Sequence, residues 1–458
     1  MKNLMIAAAV AAALSLPAGA SAASSDDLAQ IREQLQGLMQ RVDKLEQENQ
    51  SLKSENQQLQ ADSEKLKAEG DYLKAETKGL RKDAAQSSAA VSAVKGADWA
   101  GKVVVKGDVR YRYEGISDET LNTSGVQNTA DRYRDRIRAR LSVEAKATDN
   151  ILVGIGLTTT ENNDPRSGNQ TLSGTFTKKA VELDLAYFDW KFASWGDLIG
   201  GKMKQPFYKP AQSTHLWDND ITPEGLAITF NRGIWFGTAY NYWISEVSGA
   251  ENTVTADSSV AGAQVGVKLP IGASTLTLAA HYYDLSAGQG RRNIFYNCSA
   301  TSNGCANGNT TIGAAGAGVL AFDYEVGELA AEFNTNLGTL PLTLWGQYAE
   351  NQDPDDLNTA WFAGFRFGTA SNARTWELGA TYGIIEKDAV FAQFIDSDFA
   401  GGVSDSEGWV LRAGYVPVKN WTLNASYFMN KLNRDRANSA AQTDVDYDRL
   451  QLDFNVKF

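Results

Sequence analysis

From Ile31 an apolar residue returns at every seventh position, through Leu38, Leu45, Leu52, Leu59, Leu66 and Leu73 to Leu80. This unbroken register predicts an α-helix built to pair with others as a coiled coil. With these residues at d, the a positions are Leu28, Leu35, Val42, Asn49, Asn56, Ser63, Gly70 and Thr77, so the seam turns polar along its length. Buried Asn at a fixes register at a cost in stability, and such a helix specifies an assembly more than it strengthens one. Residues 23–83 are therefore read as a coiled coil, long enough to reach about 80 Å at 1.5 Å per residue. Residues 84–98, AAQSSAAVSAVKGAD, lose the heptad and most of the charge and read as a flexible linker.

From about Trp99 the period drops to 2. In the last segment Leu450, Leu452, Phe454, Val456 and Phe458 alternate with Arg449, Gln451, Asp453, Asn455 and Lys457, so one face is apolar and the other polar. The same alternation recurs in about sixteen segments, beginning with 103–114 and 131–147 and ending with 421–430 and 446–458. Short connections (Thr148-Asp149, 193–197, 270–274, 417–420) alternate with long polar ones (115–130, 161–178, 207–222, 286–319, 387–406). A soluble sandwich has no reason to sort its loops by length; a closed outer-membrane barrel has one, with turns in the periplasm and loops outside. The fold expected for 99–458 is an all-β transmembrane barrel of about 16 antiparallel strands. Tyr111, Trp376, Trp409, Tyr415, Trp421 and Phe454 lie on the apolar phase near segment ends, where membrane interfaces collect aromatic residues.

The N-terminus supports export. Met1-Lys2-Asn3, an apolar run to Leu16, Pro17 and the Ala20-Ser21-Ala22 site make 1–22 a signal peptide. This places the barrel in the cell outer membrane, against lipid and lipopolysaccharide, and the coiled coil in the periplasm, within reach of peptidoglycan. The chain carries 43 Lys+Arg against 55 Asp+Glu, and a net charge of −12 argues against a nucleic-acid partner.

On the inward phase the balance reverses. Arg132, Arg134, Arg136, Arg138 and Arg140 share one face of a single strand, joined by Arg110 and Arg112 on the segment before it and by Lys202 and Lys204 on the fifth. Read by phase, the lumen collects sixteen bases against seven acids, which implies a basic inner wall inside an acidic domain. The connection 207–222 holds Lys209, His215, Trp217, Asp218 and Asp220. Folded inward, it sets Asp218 and Asp220 against the ladder and creates a transverse field at a constriction. The competing reading pairs the arginines with Glu182 and Asp184 on the fourth segment. Cys298 and Cys305, the only cysteines, sit in a Gly/Asn/Ser-rich loop of an exported chain and are expected to form a disulfide.

These residues resemble the bacterial outer-membrane family catalogued as "putative porin", which combines a signal peptide, a coiled coil and a porin barrel. The stretches that carry the likeness are the ladder, DPRS at 164–167 with NQTL at 169–172, KKAVELDLAYFDW at 178–190, GGKMKQPFYKP at 200–210, WDNDITPEGLAITF at 217–230 and DSDFAGG at 396–402. The resemblance implies a homotrimeric, sixteen-stranded diffusion channel for small hydrophilic solutes, and the ladder adds a preference for anions. The terminal Phe458 resembles the signal read by the barrel-insertion machinery. The rival function is a structural brace, with the coiled coil spanning the periplasm and little conductance. Catalysis is not expected, because His215 and His281 are the only histidines and neither stands in a nucleophile motif. No cofactor or metal is expected either; Asp353, Asp355 and Asp356 lack EF-hand spacing.

Overall fold

The computed structural model describes residues 25–94, 100–119, 131–246, 257–291, 307–313, 319–432 and 444–458. The expected signal peptide, Cys298 and Cys305 lie outside them. The chain forms two compact units, 1–96 and 97–458.

In the first unit a single helix, α1, runs Ser25–Val94. It passes through most of the segment expected as linker, which is corrected to helix as far as Val94. Loss of the heptad removes a partner surface, but the alanines at 84, 85, 89, 90 and 93 still favour helix. Along it Leu45, Leu52, Leu59 and Leu66 are 57–67% exposed.

The second unit is a closed barrel. Its sixteen wall strands are β1 Val103–Asp118, β2 Arg132–Thr148, β3 Ile151–Thr159, β4 Val181–Ala193, β5 Gly196–Lys202, β6 Glu224–Arg232, β7 Trp235–Ser245, β8 Ser258–Ile271, β9 Ser274–Leu285, β10 Tyr324–Leu337, β11 Leu340–Asn351, β12 Thr359–Gly368, β13 Trp376–Ile385, β14 Ser406–Val418, β15 Trp421–Leu432 and β16 Val445–Lys457. Each pairs antiparallel with the next. The ring closes through β1, where Tyr111 faces Ile137 of β2 on one side and Phe454 of β16 on the other. Closure leaves no strand edge unpaired, which a membrane requires. The alternation read from sequence matches all sixteen strands to within a few residues.

The faces sort as they must in lipid. Val109, Tyr111, Leu141, Trp409, Leu411, Tyr415, Leu452 and Phe454 are exposed, while Arg110, Arg112, Glu114, Arg136, Arg138, Arg449 and Gln451 are buried. Six of the seven short connections are two-residue turns and the seventh spans 369–375. Gly272 and Gly338 take positive φ (60° and 65°) in such turns, a conformation that costs glycine nothing.

The lumen is not empty. Phe207, Trp217, Tyr240, Tyr283, Tyr324, Phe362, Phe391, Phe394 and Phe399 join one buried apolar cluster inside the wall. Two connections supply its centre, and they shape the candidate site.

Candidate functional site

The loop 203–223, L3, leaves the wall where β5 ends at Lys202. The Met203 side chain is buried and its amide donates to the Pro223 carbonyl at 2.9 Å, so the chain turns inward at once. Pro206 and Pro210 withhold the amide donors that a continued strand would need. This corrects the placing of Lys204 on the fifth strand: it is an exposed residue at the start of L3.

Aromatic stacking then seats L3 on the wall. Phe207 stacks on His281 at 4.9 Å, His215 on Phe362 at 4.3 Å, and Trp217 meets Tyr283 edge-on at 5.2 Å. The Trp217 indole donates to Glu328 at 3.2 Å, and His281 is held between Glu328 (3.0 Å) and the Tyr240 hydroxyl (2.8 Å). Lys209 donates to Gln205 Oε1 at 2.7 Å and to the Trp217 carbonyl at 3.0 Å. Burial lowers its ammonium pKa to about 8, against the opposing pull of Asp218 and Glu328. Burial, with a smaller contribution from Arg412, depresses His215 well below its ordinary value, so its ring is neutral.

A second loop, 386–405 or L7, also folds inward. Asp388 ties it down, accepting from the Thr310 amide at 2.8 Å and the Tyr324 hydroxyl at 3.3 Å. L7 is zipped to L3: the Asp218 amide donates to the Phe394 carbonyl (2.6 Å), the Ser397 amide to Asp218 Oδ2 (3.0 Å) and the Asp396 amide to the His215 carbonyl (3.3 Å). Trp217 stacks on Phe394 at 4.3 Å. Sequence reading took 387–406 for an ordinary polar external loop. The signal against that was present in Val390, Phe391, Phe394, Ile395 and Phe399, an apolar loop with no place to be buried but the lumen.

The plug fills the side of the lumen under β7–β13, and the ladder faces it from β1 and β2. There the uncompensated basic wall expected from phase counting is corrected, because each of Arg134, Arg136, Arg138 and Arg140 has a carboxylate within reach. Glu114 takes Arg134 closely and Arg136 at 3.8 Å. Asp108 takes Arg138 and Arg140, each at 2.8 Å. Arg112 pairs with Asp453 at 2.6 Å, and Arg110 donates to Asn169 Oδ1 at 2.6 Å. Loops contribute as well: Glu161 reaches Arg136 (3.5 Å), Asp220 reaches Arg140 (3.5 Å) and Arg138 (3.8 Å), and Asp398 bridges Arg112 (3.1 Å) and Arg449 (2.5 Å). Arg132 stands exposed at the end of β2.

The expected transverse pair divides. Asp220 faces the ladder, whereas Asp218 accepts from the Asp220 and Ser397 amides and serves the L3–L7 junction. Burial raises the Asp218 pKa, with Asp220 and Asp396 adding to the rise. Glu182 and Asp184 are not ladder partners: Asp184 accepts from Thr222 at 3.1 Å, and both line an opening of about 950 Å³ beside L3. Lys202 is engaged by Glu224 at 3.0 Å and is not set against the loop acids. Between ladder, L3 and L7 lies a polar space of about 290 Å³, reaching Arg110, Arg138, Asp220, Arg412, Asn424 and Asp453. Phe458 completes the seam of the barrel, exchanging two backbone hydrogen bonds of 3.0 Å with Gly107.

The sequence model of the family described as "Putative porin" matches residues 63–318 and 316–458. No curated protein matches the chain. Among solved structures it is similar to Pseudomonas putida OprB, solved at high pH (13% identity, covering 78% of this chain and 94% of that one, TM-score 0.49). It is also similar to a triple mutant of the Rhodopseudomonas blastica porin (10%, 78% and 100%, 0.43) and to Vibrio cholerae OmpT in its trimer form (9%, 78% and 99%, 0.44).

Proposed function

The chain belongs to the putative porin family of outer-membrane channels, and from that premise we propose that it passes small hydrophilic solutes along the charged half of its lumen with a weak preference for anions. The observation that carries this reading is the division of the lumen. Aromatic side chains of L3 and L7 occupy one side, and the polar space lies against the guanidinium ladder, so a solute in it meets Arg110 and Arg138. Pairing with Asp108, Glu114, Asp220 and Asp453 cancels most of the ladder's charge, which keeps the preference weak. The exposed leucines of α1 support a homotrimer joined through a periplasmic coiled coil, the assembly that the porin resemblance implies.

The test is the reversal potential of the full-length protein in a planar bilayer under a salt gradient. A small shift of anion sign is expected. Replacing Arg136, Arg138 and Arg140 together with Ser strands Asp108 and Asp220 and should move the potential toward cations. The effect should shrink as salt shortens the Debye length from about 10 Å at 0.1 M. A wild-type channel selective for cations at low salt would refute the sign, and an inserted protein without conductance would favour the brace.

A further inference from the structure

We infer that Arg412, with Asn424, Ser426 and Asn455, forms a recognition site for a small hydroxylated monocarboxylate, such as a sugar acid; this rests on the channel reading and names its solute class. The ladder offers a solute little, because its guanidinium groups are already held. Most acids around the polar space are likewise occupied: Asp453 and Asp398 by Arg112, Asp220 by Arg138 and Arg140, Asp218 by two amides, and one oxygen each of Glu377 and Asp396 by the Ala370 and Asp398 amides.

The wall three strands round from β1 differs. Arg412 on β14 is exposed to the space, and no described residue gives it a hydrogen bond or an ion pair. On the lumen face its register neighbours are Gly379 of β13 and Ser426 of β15, and Gly414 follows on its own strand. Gly379 thus leaves the guanidinium without a side chain beside it, while the Glu377 side chain lies over Gly414, its Cγ 3.0 Å from where a Cβ there would be. Beyond Gly414 lies Asn424, whose Oδ1 stands 3.2 Å from where a Cβ on that glycine would be. Neither Asn424 nor Ser426 spends its side chain on a protein partner, and Asn455 Oδ1 in the same space is buried without one.

A planar guanidinium with free N–H groups binds a carboxylate through two parallel hydrogen bonds. Among the described cations of this space Arg110 is held by Asn169, Arg112 and Arg138 by carboxylates, and Arg166 by the Ala392 and Gly402 carbonyls, so Arg412 alone offers its whole fork, which suits a single negative charge better than a phosphate dianion. The neutral amides of Asn424 and Asn455 and the Ser426 hydroxyl line the same space and supply donors and acceptors for the hydroxyl groups of such a solute. Glu377 and Asp396, which also line the space, would repel a second carboxylate.

The experiment is current block through the full-length protein in a planar bilayer, with gluconate, propionate and glucose as probes in constant KCl. Wild type should be blocked by gluconate at the lowest concentration, by propionate less well and by glucose least. Arg412→Gln should raise the half-blocking gluconate concentration about ten-fold or more, and Asn424→Ala should weaken gluconate while sparing propionate. Arg412→Lys, which keeps charge and loses the fork, should fall between and serves if the Gln variant fails to assemble. Equal block of wild type and the Arg412 variants, or glucose as effective as gluconate, would overturn the site while leaving a conducting porin. Absence of any conductance would overturn the channel reading and this inference with it.

Discussion

Asp398→Ala tests whether L7 is tethered by charge or merely packed. The Asp398 carboxylate sits between Arg112 at 3.1 Å and Arg449 at 2.5 Å, and it is the charged link from the 396–402 segment to the wall, beside the neutral hydrogen bonds from Arg449 to the Ser397 carbonyl and from the Ala400 amide to Asn430. Burial alone would raise its pKa, yet Arg112 and Arg449 overcome that and hold it well below the carboxylate range. Removing one member of a buried pair costs about 3–5 kcal/mol, since the remaining charge is left without its counterion. Arg112 keeps Asp453, so the stranded group is Arg449, which retains the Tyr447 hydroxyl and the Ser397 carbonyl. The low end, about 3 kcal/mol, is therefore appropriate, and at about 1.4 kcal/mol per decade it multiplies the open population of 396–402 by roughly 150. The rest of L7 stays fixed by Asp388 and by the Phe394 carbonyl, and the wall by its own ladders. The expected result is a variant that inserts normally, conducts more than wild type with larger open-channel noise, and exchanges the amides of 396–402 faster. If conductance and exchange both match wild type in a folded barrel, the tether does not restrain the loop.

Four further outcomes follow from the same structure. Asp396 titrates at about 6, raised first by burial and then by Asp398, so its contribution to the L3–L7 junction is complete below about pH 4 and lost as pH rises through 6. Amide protection at 396–397, corrected for intrinsic rate, should be greater at pH 5 than at pH 7.5; the reverse order would count against it. Phe458→Asp should reduce the amount of protein in the outer membrane, read by fractionation, because its ring packs over Gly107 where β1 meets the chain end; unchanged levels would remove that argument. Mass spectrometry after alkylation without reductant should show Cys298 and Cys305 joined, and two alkylated thiols would disprove the bond. Deleting 25–83 should leave a heat-modifiable barrel that assembles less well on native gels, whereas a full-length monomer would contradict the coiled-coil assembly.

The wall was legible because period 2 survives every substitution that keeps one face apolar: Arg132 to Arg140 alternating with Tyr133 to Ala139 fixes both strand and facing. The inward loops were half legible. For L3 the sequence offered Asp218 and Asp220, acids that an inward fold would set against the ladder. L7 hid behind its Asp and Gly content, although Phe391, Phe394 and Phe399 carried the same message. Least legible were the partners of the ladder. Asp220 and Asp398 reach it from positions 80 and 286 residues away along the chain, a proximity that only closure of the barrel and inward folding of the loops create. Strand phase says which residues face the lumen; it cannot say what crosses the lumen to meet them.

That distinction decides where selectivity resides. Phase counting treats each inward arginine as a free charge and yields a wall that attracts anions along its whole length. The geometry instead makes most of the ladder a row of close dipoles, whose fields fall off faster than those of single charges and whose guanidinium groups have few hydrogen bonds left to give. Residual attraction then comes from cations that pairing has missed, and among the described residues near the polar space Arg412 is such a group. In such a wall each acid restrains the guanidinium fork it holds. The long row of like charges on β2 thus reads as architecture that wall and loop acids complete, and the chemistry offered to a solute lies three strands round from β1, where Arg412 stands beside Gly379 with no ion pair among the described residues.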